Sequence, residues 1–317
     1  MKVLLLVNPF SSSVTARSRV VIRKALSGDH QVTLAETSRR GHATRLAQGA
    51  AADGTDVVVV LGGDGTVNEA ANGLAGSGTR TALAVLPGGS TNVFARTIGL
   101  PNDPIEATAV LLEAMEAGSI EPVGLGSVNG RYFCFHVGVG YDAAVVEQVE
   151  RRAGLKRWAG HPLFVYASLS TWFRHYDHHE PRFRVSFPDG PPVADGHFAI
   201  CLNTNPYTFL GNRPLDVAPD AGFDHGLVML TIRSMRFDRI IRIIGRALQG
   251  GGAVGHDRWV DHRGDQRGLL VTSDRPFPYQ VDGDFLGEVT RLEFRHEPDA
   301  MRLVLPVERS EPMASVR

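Results

Sequence analysis

Three glycines interrupted by one acid, Gly62-Gly63-Asp64-Gly65, follow the apolar run Asp56–Leu61 and lead through Thr66-Val67 into Asn68-Glu69. Glycine lets backbone N–H groups approach an anion closely and tolerates positive φ. A helix that begins at such a turn adds the partial positive charge of its N-terminus. The pattern reads as a phosphate cradle built without lysine. It is not the Walker sequence, because no Gly-Lys-Ser/Thr follows, and it is not Gly-x-Gly-x-x-Gly. Asp64 would repel a phosphate directly, and a magnesium ion or a water between them resolves the conflict. The plain alternative is a glycine-rich turn, but the C-terminal end of a parallel strand is where open α/β sheets place ligands.

A second loop repeats the design. The run Leu83–Leu86 ends in Pro87-Gly88-Gly89-Ser90-Thr91-Asn92-Val93-Phe94-Ala95-Arg96. Ser90 or Thr91 can cap the following helix and donate to a phosphate oxygen, and capping alone is the plain reading. A third edge, Asn8-Pro9-Phe10-Ser11-Ser12-Ser13, also follows a strand. All three would line one crevice.

These loops need a sheet of parallel strands behind them. Val3–Val7, Val32–Glu36, Asp56–Leu61 and Thr81–Leu86 read as strands, the third as one buried on both faces. Helical patterns separate or follow them at Thr15–Leu26, Gly41–Ala52, Asn68–Leu74 and Ile105–Ala117. After about Ile120 the pattern changes. Short β-rich stretches appear at Arg131–Val139, Arg182–Phe187, His197–Asn203, Leu227–Ile232, Leu269–Thr272, Tyr279–Val281, Thr290–Phe294 and Arg302–Leu305. Helices are expected at Asp142–Arg152, Leu163–His175 and Arg236–Gly250, and Gly250–Gly252 with Asp257–Gly268 reads as one mobile loop.

The fold class is therefore α/β plus all-β: an N-terminal parallel-sheet α/β nucleotide-binding domain and a C-terminal antiparallel β-sandwich-like domain, with the active site in the cleft between them. The expected boundaries are 1–122, with 299–317 returning to the first domain, and 123–298.

Composition narrows the class. The chain has 317 residues, 43% hydrophobic and 21% charged, and a formal net charge of −1 from 33 Lys+Arg against 34 Asp+Glu. This excludes a disordered chain and argues against bulk nucleic-acid binding. Two cysteines, Cys134 and Cys201, make neither a disulfide framework nor a four-cysteine zinc site and suit a reducing compartment. The opening apolar run meets Asn8-Pro9 with no cleavage site behind it, and no run approaches the roughly 20 apolar residues of a spanning helix. The aromatic and basic segment Arg151–Tyr176, with Trp158, Trp172 and five cations, suits a membrane interface or a helix packed on the β domain. His175, His178 and His179 lack metal-ligand spacing and read as a solvated loop.

The motifs together resemble the catalytic domain of diacylglycerol kinases, which includes bacterial soluble lipid kinases and is related to sphingosine and ceramide kinases. The resemblance rests on the opening Asn-Pro, Gly-Gly-Asp-Gly-Thr, and the Leu-Pro-x-Gly-Ser/Thr-x-Asn-x-Phe-Ala-Arg pattern at Leu86–Arg96. It extends to Thr37-Ser38-Arg39-Arg40-Gly41-His42-Ala43, Gly138-Val139-Gly140-Tyr141-Asp142-Ala143, Pro219–Leu227 and Val281-Asp282-Gly283-Asp284, nearly end to end.

It implies an ATP-dependent lipid kinase that transfers the γ-phosphoryl group to a lipid hydroxyl, with diacylglycerol as the acceptor to give phosphatidic acid. Asn8, Ser11, Thr37, Gly62, Gly63, Asp64, Gly65, Thr66, Asn68, Glu69, Gly89, Ser90 and Thr91 would bind the nucleotide, and Asp64 would place its magnesium. The family's Asp-Gly-Glu base stands here as Asp282-Gly283-Asp284, which leaves open whether Asp282 or Asp284 takes the proton; a two-residue hairpin turn is the plain reading of Asp282-Gly283. The auxiliary magnesium site would use Asp220 and Asp224, but His225 replaces its usual acid, and histidine is a poor ligand for a hard cation. Ser13 and Val93 depart from a common glycine and aspartate.

Expected partners are ATP and a lipid at a membrane surface, with a homodimer allowed and no nucleic acid. The expected location is cytoplasmic, transiently at the inner face of the membrane. The alternatives are an NAD kinase-like soluble nucleotide kinase and a non-catalytic nucleotide or lipid sensor.

Overall fold

The computed structural model describes residues 1–150 and 180–307. The segment Arg151–Tyr176, the helix expected at Leu163–His175, the histidines His175, His178 and His179, and the chain after residue 307 lie outside the described residues. By internal contacts the chain divides into two compact units, Met1–Gly124 with the chain from Pro298 onward, and Leu125–Glu297.

In the first unit, β1 (Lys2–Val7), β2 (Gln31–Glu36), β3 (Val57–Gly62) and β4 (Ala82–Pro87) run parallel in the order β2-β1-β3-β4. Every residue of β3 and β4 is buried, which is why both read as unbroken apolar runs. The register sets Val7 beside Glu36 and Leu61, and Gly62 beside Pro87, so all four strands end along one edge. Helices α1 (Ala16–Leu26), α2 (His42–Ala52), α3 (Asp64–Leu74), α4 (Val93–Thr97) and α5 (Pro104–Glu116) complete it, α2 against α3 and α1 against α5. Local signals start two of them. Thr15 and Ser18 form a capping box on α1, and Asp103 caps α5 with Pro104 at its first position. Helix α3 begins at Asp64, earlier than the expected Asn68, because the chain turns helical directly after Gly63.

The second unit holds β6 (Arg131–Phe133), β7 (His136–Gly140), α6 (Tyr141–Glu150), β8 (Phe183–Ser186), β9 (Val193–Gly196), β10 (Phe198–Leu202), β11 (Thr208–Leu210), β12 (Arg213–Leu215), β13 (Leu227–Ile232), α7 (Phe237–Gln249), β14 (Val260–Gln266) and β15 (Gly268–Val281). Strands β5 (Ile120–Val128) and β16 (Asp284–Val304) connect it to the first unit along the chain. Its antiparallel order is β14-β13-β10-β7-β15-β16, with β8 also on β15. Alternation splits the side chains between two cores. Ala199 and Cys201 face one with Val137, Val139, Phe183, Phe277 and Phe294. Ile200 and Leu202 face the other with Leu230, Ala144 of α6, and Ile243 and Ala247 of α7.

Several expectations change, among them the separate stretches Leu269–Thr272 and Tyr279–Val281, which are parts of the single strand β15. Asp257–Gly268 is not a loop throughout; Val260–Gln266 is the edge strand β14, whose charges suit an edge and hide its period. Arg131–Val139 is two strands, broken where the chain turns its amides onto Asp282. Thr290–Phe294 and Arg302–Leu305 are not separate strands: β16 runs from Asp284 to Val304. Its last residues, Arg302 and Leu303, pair in parallel with Ala82 and Leu83 of β4.

Gly73 sets the spacing of α2 and α3. A Cβ there would lie 2.5 Å from the Thr44 carbonyl oxygen and 2.8 Å from Ala47 Cβ. Helix propensity alone favours alanine over glycine by about 1 kcal/mol, whereas forced overpacking costs about 1–3 kcal/mol. Gly73→Ala is therefore expected to destabilise the protein, and urea denaturation showing a gain in stability would refute this close approach.

Candidate active site

The loops at the strand ends of the first unit are joined to one another. Asn8 Nδ2 donates to Thr66 Oγ1 at 2.9 Å, and Asn8 Oδ1 accepts from Phe10 N. Ser13 N donates to Gly88 O at 2.8 Å, and Ser13 Oγ to Gly89 O at 3.0 Å, a bond glycine could not make. Thr37 N donates to Val7 O. Gly89 N donates to Asn92 Oδ1 at 2.7 Å.

The glycines serve proximity, not unusual dihedrals. None of Gly62, Gly63, Gly65, Gly88 and Gly89 has positive φ. A Cβ on Gly88 would lie 2.8 Å from Gly62 Cα, and one on Gly89 would lie 2.9 Å from Gly63 Cα. The two loops thus meet backbone to backbone, with Gly88 N donating to Gly62 O at 2.8 Å.

Two motif acids hold helix starts. Asp64 accepts from Val93 N and Phe94 N, each at 3.0 Å. Neither Ser90 nor Thr91 caps α4, contrary to the expectation. Its N-cap is Asn92, left-handed at φ 51° and without a side-chain cap bond, and Asp64 receives the first amides instead. Val93 supplies one of these amides, so its side chain matters little there. Glu69 accepts from Gly41 N at 2.7 Å and from Ala43 N at 3.1 Å, which fixes the Thr37–Ala43 segment at the start of α2. Gly63 has no side chain to cap α3. Of the expected nucleotide-binding residues, Ser90 is exposed, Ser11, Gly63, Asp64, Gly65, Glu69, Gly89 and Thr91 are half-buried, and Thr37, Gly62, Thr66 and Asn68 are buried.

The two candidate bases lie in the second unit and differ sharply. Asp282 and Gly283 form a two-residue hairpin turn between paired Val281 and Asp284, with φ of 47° and 82°. Positive φ at both positions is the Asp-Gly turn that suits the twist of the strands. Asp282 is also buried, and its carboxylate accepts from Cys134 N at 2.7 Å, Phe135 N at 3.0 Å and His136 N at 3.1 Å. Asp284 is only partly buried, with its side chain 23% exposed and Arg131 NH2 at 3.8 Å.

A buried relay that the sequence did not announce supports this hairpin. Tyr207 Oη donates to Asp142 Oδ1, Gln280 Nε2 donates to Asp142 Oδ2 at 2.7 Å, and Gly283 N donates to Gln280 Oε1 at 2.8 Å. Gly138 leaves room for Asp142, since a Cβ would come within 1.7 Å of Oδ2. Burial pushes the Asp142 carboxyl up, against the lowering pull of Tyr207 and Gln280. Burial, then the neighbouring Asp142, pushes the Tyr207 hydroxyl well up, so it stays a donor. The Gly-x-Gly-x-Asp spacing marked Asp142, but nothing local marked Tyr207 or Gln280 as its partners.

Asp220 is engaged by His262 Nε2 at 3.0 Å, Asp224 and His225 are exposed, and no group of three His, Cys, Asp or Glu able to hold a metal occurs among the described residues. No helix among the described residues is long and apolar enough to cross a membrane.

The model of the diacylglycerol kinase catalytic domain matches residues 2–148. A protein of Xanthomonas axonopodis pv. citri named "Probable lipid kinase YegS-like" is 30% identical over 285 residues, covering 88% of each chain. This chain belongs to the diacylglycerol kinase family. The family's Bacillus subtilis member named diacylglycerol kinase is 26% identical over 308 residues, 92% of each chain. A crystal structure of a diacylglycerol kinase from Bacillus anthracis shares the fold, with a TM-score of 0.76 at 23% identity over 97% of both chains. As a member of this lipid-kinase family the protein is a kinase, and the parallel and antiparallel parts of its fold are those of the family.

Two outcomes follow from the second unit. Asp282→Asn turns an NH2 group toward backbone donors and removes a charge they satisfy, so it should cost about 3 kcal/mol of stability. Chemical denaturation checks this, and an unchanged midpoint would exclude the three-amide role.

His136 is buried against Tyr207, ring centroids 4.5 Å apart, and burial pushes its imidazole from 6.5 down to about 3. The unfolded chain takes up that proton below about 6.5 while the native state stays neutral, so stability falls as pH drops through this window. The loss from this group reaches about 2 kcal/mol at pH 5. Asp142, whose pKa is raised, acts in the opposite sense. His136→Gln should lose less stability than wild type between pH 7.5 and 5, measured by denaturation at each pH.

Proposed function

We propose that this protein transfers the γ-phosphoryl group of ATP to the free hydroxyl of diacylglycerol, with Asp284 as the base. The observation that carries the assignment is the division of labour in Asp282-Gly283-Asp284. Asp282 is occupied by three backbone amides and the turn, whereas Asp284, on the adjoining strand, is partly open to solvent. A base must reach the proton it removes, and a carboxylate partly open to solvent can.

In the first unit, the close approach of Gly62 to Gly88 and of Gly63 to Gly89 brings the two loops together backbone to backbone at the start of α3. Backbone N–H groups at such a helix start suit phosphate oxygens. Ser90, exposed, and Ser11 and Thr91, half-buried, would add hydroxyl donors.

Asp64 fits a magnesium ion carried with the nucleotide: it is a half-buried carboxylate, the hard oxygen donor such a cation prefers. Such an ion supplies neutralisation of charge on the phosphates. Asp220 and Asp224 fit an auxiliary ion poorly, because Asp220 is engaged by His262 and Asp224 is followed by exposed His225, a poor ligand for a hard cation. As the acceptor oxygen bonds to the γ-phosphorus, Asp284 takes the hydroxyl proton and the bridging electron pair leaves with ADP.

The test is transfer of label from γ-labelled ATP to a panel of lipids bearing a free hydroxyl, with soluble nucleotides as control acceptors. Asp284→Asn is expected to keep the wild-type denaturation midpoint and lose about 10²–10⁴-fold in turnover. Wild-type turnover in that variant would remove Asp284 as the base, and label entering only another lipid would change the acceptor.

A further inference from the structure

Gln280 is a fully buried amide in a strand that could have carried an apolar side chain there. Its neighbours Tyr279 and Val281 face the core of Phe183, Phe277 and Phe294. Alternation turns Gln280 to the opposite face of β15, where it meets Asp142 of α6. A buried amide costs free energy unless its polar atoms are bonded, and here both ends are. Nε2 donates to Asp142 Oδ2 at 2.7 Å, and Oε1 accepts from Gly283 N at 2.8 Å. Asp142 accepts at both oxygens, from Tyr207 Oη and from Gln280 Nε2, which leaves the Gln280 carbonyl oxygen turned toward Gly283.

The amide that Gln280 holds lies next to the candidate base. Val281 and Asp284 are the last ladder pair, and Asp282 and Gly283 make the turn between them. Asp282 is tied twice, its N–H to His136 O at 2.9 Å and its carboxylate to three amides. Gly283, at φ 82°, has the widest choice of backbone conformation and is the loose link between that anchor and Asp284. On the far side of Asp284 the ladder is irregular: Gln280 lies opposite Phe285, but Tyr279 lies opposite Gly287. The bond from Gly283 N to Gln280 is a restraint that regular strand pairing does not supply.

We propose that Gln280 is a positioning residue for phosphoryl transfer, held by Asp142 and Tyr207 so that its carbonyl oxygen fixes the Gly283 amide and, through it, the carboxylate of Asp284. This role rests on Asp284 as the base. A base works only within hydrogen-bond reach of the proton it removes, and a displacement of about 1 Å can cost about 10²-fold in rate. The residues proposed for the nucleotide lie in the first unit, so the effect of Gln280 belongs to turnover and not to ATP affinity.

The experiment is a double-mutant cycle of Gln280→Leu and Asp284→Asn, read as label transfer from γ-labelled ATP to short-chain diacylglycerol. Leucine keeps most of the volume and removes both hydrogen bonds. Gln280→Leu should lower kcat about ten- to hundred-fold and leave KM for ATP within about two-fold of wild type. Added to Asp284→Asn it should cost less than about two-fold more, because a residue acting through Asp284 then has nothing to position. A merely structural Gln280 would multiply its loss onto that of Asp284→Asn. Multiplied losses, or wild-type kcat in Gln280→Leu beside an impaired Asp284→Asn, would overturn the proposal and leave Asp284 standing as the base. Wild-type turnover in Asp284→Asn would overturn the base and the proposal with it. If Gln280→Leu does not fold, Tyr207→Phe takes its place, since it removes only the far bond of the relay. Its kcat should fall about three-fold with Asp284 present and not at all beside Asp284→Asn. Wild-type kcat in Tyr207→Phe, or losses that multiply, would then overturn the proposal.

Discussion

A carboxylate accepting neighbouring backbone N–H groups is the joint from which the functional loops of both units hang. Asp64 holds the first two amides of α4, Glu69 holds Gly41 and Ala43 at the start of α2, and Asp282 holds three consecutive amides between β6 and β7. Charge-assisted bonds of this kind are roughly twice as strong as neutral ones, and where they meet a helix start they also meet its dipole. Each fixes a segment far away in sequence. The acids that look most chemical in the motifs are therefore partly architectural, and chemistry passes to what they position.

The glycines follow from the same geometry. Adjacent parallel strands end side by side, and their loops cross at Gly62 with Gly88 and Gly63 with Gly89. Side chains there would push the loops apart and break the bonds from Ser13 and Asn8 that tie in the third edge. Two loops packed backbone to backbone at a helix start are the result, and a helix start suits an anionic ligand.

In the second unit one sheet serves two cores. Alternation sends Ala199 and Cys201 to one side and Ile200 and Leu202 to the other, so β10 is buried on both faces. The second face is covered by α6 and α7. Helix α6 carries Asp142 into the relay that reaches Gly283 through Gln280, and α7 sets Ile243 and Ala247 on the core. One layer thus closes a core and supports the hairpin.

The sequence by itself determined the parallel strands, the two strand-end loops, the change to a β-rich half and the family. These rest on local information: unbroken apolar runs at β3 and β4, glycine beside hydroxyl, and fixed spacing within short motifs. The Asp282-Gly283 turn was also legible, because its backbone demand falls on two adjacent residues. What only the tertiary structure decided is which partner each polar group meets. Asp64 receives Val93, Asp282 receives Cys134 across 148 positions, and Tyr207 and Gln280 converge on Asp142. Strand register and helix packing bring those groups together, and no local period encodes them. The edge strand β14 escaped notice because its charges mask alternation.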